Sequence, residues 1–233
     1  IYIEPGAKLT IKGKVLMPTG GRIVVKRGAR LVVDGGHITT KGPTVVKCDG
    51  QQIIERWQGI EVWGNTNMTA TSAMLEESYQ PALSDPGLVI LRSNGTKRAK
   101  IENAQIGVQT AQNGLYDWFT SKLFHFNGLI SAFETDFKNC RKGVEFLAYI
   151  APIDNPSKFD QCKFIQDYLP SPAFNYEGVT QWQVKGIQYS ECEFNRLKLG
   201  IAAIDASFLV GKTLFKTCQR AVMADATLPM FAE

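Results

Sequence analysis

The sequence predicts an all-β protein folded as a right-handed parallel β-helix, a single-stranded solenoid with long loop insertions. Two internal repeats predict this fold. One is a pair of N-terminal segments, in which residues 1–13 align with residues 23–35, and the other is a motif that recurs at variable spacing. A fixed motif at variable spacing is typical of stacked coils whose loops differ in length. Coils of roughly 22 to 30 residues are too short for separate cores, so neighbouring coils must bury one another; we expect about eight or nine.

The first repeat predicts the strands of the N-terminal coils. Apolar and polar residues alternate within each copy, which is typical of a strand with one buried face, and glycines mark the turns at both ends. The same alignment places His37 at the repeat position of Val15, in a turn or in the wall of the solenoid. The matched pairs are Ile1 and Ile23, Gly6 and Gly28, Ala7 and Ala29, Leu9 and Leu31, Ile11 and Val33, and Gly13 and Gly35.

The second repeat predicts the later coils. A large apolar residue is followed three positions later by a smaller apolar residue, then by Gly or Ala, and then directly by Val or Ile. Stacking would place like residues about 4.8 Å apart in ladders. The copies are Ile101, Ala104, Gly107, Val108; Phe137, Cys140, Gly143, Val144; Phe194, Leu197, Gly200, Ile201; and Phe215, Cys218, Ala221, Val222, with an incomplete copy at Cys162 and Phe164 that matches Cys192 and Phe194.

The cysteines occupy ladder positions. Cys140 and Cys218 share one position of the repeat, and Cys162 and Cys192 share another. We expect buried free thiols, because Ala104 fills the same position as Cys140 and small apolar residues suit it. A disulfide between stacked neighbours is the alternative.

Composition limits the classes of function. The chain of 233 residues is 44% hydrophobic and 21% charged, as in an ordinary folded domain. Its formal net charge of +4 is spread out rather than gathered in a basic block, so we expect no nucleic-acid partner. There is no run of about 18 uncharged apolar residues, so we expect no membrane span. Neither zinc-type cysteine spacing nor Asp-rich calcium loops are present, so we expect no metal and no cofactor.

We expect one β-helix domain over residues 1–233, cut from a longer protein. Three segments that interrupt the repeats predict loop insertions at about 65–86, 109–127 and 165–185. In the first, residues 72–79 favour a short helix that covers the wall of the solenoid, since Ser72 suits a helix start and acids follow it.

Three segments resemble a known group of proteins. Residues 57–65 read WQGIEVWGN, residues 87–91 read GLVIL and residues 99–108 read AKIENAQIGV. Together with the Phe-x-x-Cys-x-x-Gly-Val copies, they resemble the parallel β-helix regions of large secreted Bacteroidota proteins, which have the pectate-lyase-like superfamily fold. This resemblance covers most of the chain. It implies an extracellular or cell-surface location, and secretion by the type IX machinery through a C-terminal sorting domain that this sequence lacks.

The outward positions that follow the repeat glycines are the candidate positions for catalytic residues. Glycoside hydrolases need two carboxylates at a defined separation, and the outward row offers Glu61 and Glu145 with Gln109 between them. The polygalacturonase pattern is absent, so we expect no catalytic residues and favour solvated surface acids. The only weak catalytic candidates are Glu61, Glu145, Asp117 and His125.

Aromatic residues in the second and third insertions are the candidate ligand-binding residues, since aromatic faces bind sugar rings. The alternative is that these rings pack the loops onto the scaffold. We favour a module for adhesion or extracellular glycan binding, with a polysaccharide or cell-surface partner. A polysaccharide lyase or hydrolase, which predicts converging acids, and a passive stalk, which predicts buried aromatics, are the alternatives. The candidates are Tyr116, Trp118, Tyr168, Tyr176 and Trp182.

Overall fold

A computed structural model describes residues 1–40, 55–65, 69–112, 125–147, 154–167 and 176–226, together with the backbone of two short strands. Its main elements are three parallel sheets. The first sheet has eight strands: β1 (Tyr2–Ile3), β4 (Arg22–Val25), β9 (Trp57–Val62), β12 (Ala104–Gln109), β15 (Lys142–Phe146), β18 (Glu177–Trp182), β21 (Leu199–Ile204) and β24 (Arg220–Asp225).

The second and third sheets have seven strands each. The second contains β2 (Lys8–Ile11), β5 (Arg30–Asp34), β10 (Leu88–Arg92), β13 (Leu129–Phe133), β16 (Lys158–Asp160), β19 (Ile187–Ser190) and β22 (Phe208–Gly211). The third contains β3 (Lys14–Met17), β6 (His37–Thr40), β11 (Ala99–Glu102), β14 (Thr135–Lys138), β17 (Lys163–Ile165), β20 (Glu193–Asn195) and β23 (Leu214–Lys216). An antiparallel hairpin pairs β7 (Val45–Val46) with β8 (Gln52–Ile53).

The chain visits the first, second and third sheets in turn, and each new coil pairs in parallel with the one before it. This architecture is a parallel β-helix, as the repeats predict. The described residues form seven complete coils, and β24 begins an eighth, compared with the eight or nine expected for the chain.

Strand register confirms the second repeat. Ile101 pairs with Phe137, and Phe164, Phe194 and Phe215 follow it one coil at a time. The four phenylalanine rings stack at centroid distances of 4.7, 4.6 and 4.9 Å, nearly parallel to one another. In-register parallel pairing places like residues above like, and therefore the core is a set of ladders that include this aromatic column.

One register differs from the sequence alignment. His37 pairs with Lys14 rather than with Val15, although Leu9 pairs with Leu31 as predicted. The second coil has an extra glycine at the corner before β6. Gly36 packs so closely that an added Cβ would lie 2.6 Å from the carbonyl oxygen of Ile11. His37 is therefore an outward, partly exposed residue of the wall.

A column of glycines runs along the first sheet. Gly107, Gly143, Gly178 and Gly200 each lie so close to the next coil that an added Cβ would be 2.4 to 2.6 Å from its carbonyl oxygen. Gly178 belongs to β18, which lies inside the interval predicted as the third insertion. The structure therefore shortens that insertion at its C-terminal side.

The structure confirms the free thiols at the cysteines that it describes. Cys140, Cys162 and Cys192 are buried and Cys218 is half-buried, and none forms a disulfide. Cys162 and Cys192 are stacked neighbours joined by a hydrogen bond, and burial is the main reason that the pKa of Cys162 is raised. Cys48 lies outside the described residues.

The first insertion covers the outer face of the second sheet. Its predicted helix is a single 3₁₀ turn, Ser72–Leu75, in which Met74 and Leu75 are buried. These two side chains join outward residues of the sheet, among them Val32 and Ile90, in a second hydrophobic cluster. The insertion therefore stabilises the wall, as the sequence predicts.

Candidate functional site

The predicted outward row exists on the first sheet. Glu61 pairs in register with Gln109, Gln109 with Glu145, and the row continues through Thr180 to Ala202. Thr180 was not predicted as part of this row, because its strand lies within the predicted insertion. All five residues are buried; Glu61 is 4% exposed and Glu145 is 9% exposed. The expectation of solvated carboxylates is therefore wrong.

Glu61 is held by a cation and an indole. Arg22 Nη1 donates to Glu61 Oε1 over 2.9 Å, and Trp63 Nε1 donates to Oε2 over 3.3 Å. The charge of Glu61 is the largest cause that raises the pKa of Arg22 above its ordinary value. Hydrogen bonds between two charged groups are stronger than those between neutral groups. Glu61 thus holds the side chain of Arg22 against the first sheet.

Glu145 has its own partners two coils away. Lys142 Nζ donates to Glu145 Oε1 over 2.5 Å, and Gln109 Nε2 donates to Oε2 over 3.1 Å. Two coils separate the Cα atoms of Glu61 and Glu145 by about 10 Å. A hydrolase pair requires one carboxyl group to hold a proton. Here each carboxylate forms its own ion pair, Glu61 with Arg22 and Glu145 with Lys142, so the arrangement fits a structural role.

His125 lies against the indole of Trp63. The two rings stack with centroids 4.5 Å apart, and Arg27 Nη2 lies 3.0 Å from His125 Nδ1. Burial, followed by the charge of Arg27, lowers the pKa of His125 below its ordinary value. The imidazole is therefore neutral at pH 7, with Nδ1 placed to accept from Arg27. This is the geometry of a packed, hydrogen-bonded histidine.

The candidate aromatic residues separate into three cases. Tyr176 is 6% exposed and belongs to the core, where Arg56 lies over its ring at 5.6 Å. Its burial leaves little of the ring face for a sugar, so Tyr176 is the weakest of the described ligand-binding candidates. Trp182 is 49% exposed at the end of β18, beside Ile204 of the next coil. The remaining candidates Tyr116, Trp118 and Tyr168, and the weak catalytic candidate Asp117, lie outside the described residues.

A groove that the sequence analysis did not find lies between the second and third sheets. It encloses about 480 Å³, and four lysines line it: Lys12, Lys14, Lys97 and Lys100. The lysines come from the first and third coils, so they are distant in sequence and close in space. Aligning the first and third coils in the sequence would predict that these lysines lie close together. They do not form a continuous basic segment of the sequence.

The residues that the structure describes contain neither a cluster of metal-binding side chains nor a membrane-spanning helix. Within these ranges, His, Cys, Asp and Glu side chains form no group of three or more that could hold a metal ion. None of the helices there is long and apolar enough to cross a membrane.

The comparisons with known proteins give a limited result. No protein-family model and no curated protein matches the sequence. The structure of the Streptococcus pneumoniae surface protein and adhesin PfbA aligns with 97% of this chain, at 10% sequence identity and a TM-score of 0.32. The chain spans 64% of the length of that structure. The fold assignment depends on the strand order and register described above, and not on this similarity.

Proposed function

We propose that the protein is a secreted or cell-surface β-helix module that acts in adhesion by binding an extracellular glycan. The observation that supports this function is the exposure of Trp182. Its side chain lies at the end of β18, which is paired on one side with β15 and on the other with β21. Aromatic faces bind sugar rings, and a rigid strand lowers the conformational entropy lost on binding.

The extracellular location has separate support. The motif at residues 57–65 resembles secreted Bacteroidota β-helix proteins, and type IX secretion is part of this proposal. Cys140, Cys162 and Cys192 are buried free thiols, and shielded thiols are compatible with an oxidising environment.

The two alternative functions have weaker support. An enzyme needs carboxylates that share a substrate, yet Glu61 and Glu145 have separate cationic partners. A passive stalk predicts that the candidate aromatics are buried. Tyr176 fits that prediction, but Trp182 does not. The exposed indole therefore favours binding.

Retention on a panel of insoluble polysaccharides tests the proposed function. Wild-type protein is compared with Trp182→Ala and with Phe133→Ala, which removes a ring of similar exposure, 42%, from the second sheet. We expect Trp182→Ala to weaken binding about tenfold, equivalent to about 1.4 kcal/mol, and Phe133→Ala to bind as the wild type does. Absence of wild-type retention on every polysaccharide would refute the function. Equal binding by both variants would refute the role of Trp182.

A further inference from the structure

The groove between the second and third sheets carries an unbalanced positive charge. Lys12, Lys14 and Lys97 are exposed and Lys100 is half-buried. Among the residues that the structure describes, none of these four ammonium groups has an ion-pair partner. Four like charges around one concave surface concentrate counter-ions there.

The acid on the groove wall does not offset these charges. Asp136 accepts from Arg98 Nε over 2.7 Å, and Arg98 Nη2 also donates to the carbonyl oxygen of Gln161 over 2.6 Å. The Arg98–Asp136 pair is therefore neutral as a unit and fixed in place. His37 also lines the groove, and its Nε2 lies 2.8 Å from Glu102 Oε2.

Glycines keep the groove open. Gly13 and Gly35 line it, and a Cβ added at Gly13 would have no atom within 4 Å. Gly35 has a φ of +65°, and a Cβ there would lie 2.4 Å from the Asn94 side chain. That asparagine packs on the glycine, and its Oδ1 accepts from the backbone nitrogens of Thr96 and Lys97. The loop that presents Lys97 is therefore preorganised.

The spacing of the charges suits a polymer. Lys14 pairs in register with His37, and His37 with Lys100, so two coil steps separate the two lysines. The Cα atoms of Lys14 and Lys100 are thus about 10 Å apart along the solenoid axis. Charged positions that recur along the axis match a ligand that carries acidic groups at regular intervals.

We propose that this groove binds an acidic polysaccharide, a polymer with carboxylate or sulfate groups. The site is separate from Trp182 and goes beyond the proposed function. Single-stranded nucleic acids bind proteins through stacked bases, and no Phe, Tyr or Trp is among the described residues that line the groove. Lysines contribute point charges that accept carboxylate and sulfate alike, so both acidic groups belong to the same ligand class.

Binding of three polymers by the wild type and two double variants tests the charge requirement. The probes are dextran sulfate, polygalacturonate and uncharged dextran. Lys14→Gln combined with Lys97→Gln removes two groove charges. The control, Lys158→Gln combined with Lys185→Gln, removes two exposed charges elsewhere, at lysines without an ion pair among the described residues.

We expect the wild type to bind both acidic polymers and not dextran. The groove variant should bind them roughly tenfold more weakly, and its dependence of log Kd on log salt should fall by about one unit for each lysine removed. The control variant should bind as the wild type does. Equal losses in both variants, or binding of uncharged dextran, would overturn the proposal.

A steric variant tests the groove itself without changing any charge. Gly13→Leu would fill the groove at a position where a Cβ has open space, and Gly211→Leu is the matched control, since its Cβ also meets nothing within 4 Å. Gly13→Leu should weaken binding of dextran sulfate at least fivefold, and Gly211→Leu should not. Unchanged binding by Gly13→Leu would overturn the proposal. Tighter binding of a single-stranded oligonucleotide than of either acidic polymer would also overturn it.

Discussion

Gly178→Ala tests whether close coil stacking makes glycine necessary in the column of the first sheet. A Cβ at Gly178 would lie 2.5 Å from the carbonyl oxygen of Gly200 and 2.6 Å from Cδ1 of Phe194. Both neighbours would have to recede by roughly 0.8 to 0.9 Å to reach ordinary contact. The oxygen belongs to the paired strand β21, and the ring of Phe194 is stacked between those of Phe164 and Phe215.

Two opposing effects set the magnitude. Overpacking against backbone costs about 3 kcal/mol, at the upper end of its usual range. The loss of glycine's freedom in the unfolded chain returns about 0.5 to 1 kcal/mol. Gly178→Ala should therefore lower the free energy of unfolding by about 2 kcal/mol, and the Tm by about 4 to 8 °C for a chain of this length.

Thermal unfolding followed by far-ultraviolet circular dichroism measures the effect. Gly13→Ala is the control, because its added Cβ meets nothing within 4 Å, and it should unfold at or slightly above the wild-type temperature. The natural sequence already has Ala221 at the column position after Gly200, in β24, where no further described strand stacks on it. A Gly178→Ala variant with the wild-type Tm would refute the reasoning.

Three further predictions concern the core and the wall. Phe164→Ala should lower the free energy of unfolding in urea by about 3 to 5 kcal/mol, because the ring is 1% exposed and stacked on both faces. Alkylation of the native protein followed by peptide mapping should modify half-buried Cys218 before Cys140, since burial raises the pKa of Cys140 to about 12. The hydrogen bond to His37 is the largest cause that lowers the pKa of Glu102 below its ordinary value of 4.5. A carboxyl group with a lowered folded-state pKa stabilises the fold above the ordinary value, and this stabilisation disappears as pH falls through the folded-state pKa. Glu102→Gln should therefore be less stable than the wild type in urea near pH 6, and the difference should shrink as pH falls below 4.5 and through the lowered folded-state pKa.

Each of these predictions has a result that would contradict it. A Phe164→Ala variant within about 1 kcal/mol of the wild type would mean that the ring column contributes little. Rapid alkylation of Cys140 in the native state would contradict its burial. A stability difference for Glu102→Gln that persists unchanged at low pH would contradict the ionisation argument.

Sequence alone could predict the ladders because parallel in-register coils repeat their side chains. Phe137, Phe164, Phe194 and Phe215 occur at one motif position and stack in the structure as that position requires. The alignment failed where a coil changed its length. An extra Gly36 shifted His37 by one residue, and the segment before β18 lacks the apolar start of the motif, although Gly178 and Val179 preserve its end.

The candidate site was less predictable because burial and partners depend on neighbouring coils. The row of Glu61, Gln109 and Glu145 follows from the repeat, but the cation on Glu61 comes from Arg22, 39 residues away. Trp182 is exposed and Tyr176 is buried. Residue type does not predict this difference, because both are aromatic residues of one predicted insertion. The basic groove could not be predicted from a continuous segment, because its lysines come from the first and third coils and meet only in the stacked solenoid.

The most direct test of the central claim, that this β-helix binds rather than cleaves its ligand, measures retention and product release together. The protein is incubated with a panel of neutral and acidic polysaccharides, with and without Ca²⁺, and bound protein is quantified beside newly formed reducing and unsaturated ends. Retention on at least one polysaccharide without any product is the predicted result. Release of reducing or unsaturated ends by the wild type, lost in Glu61→Gln or Glu145→Gln, would contradict it.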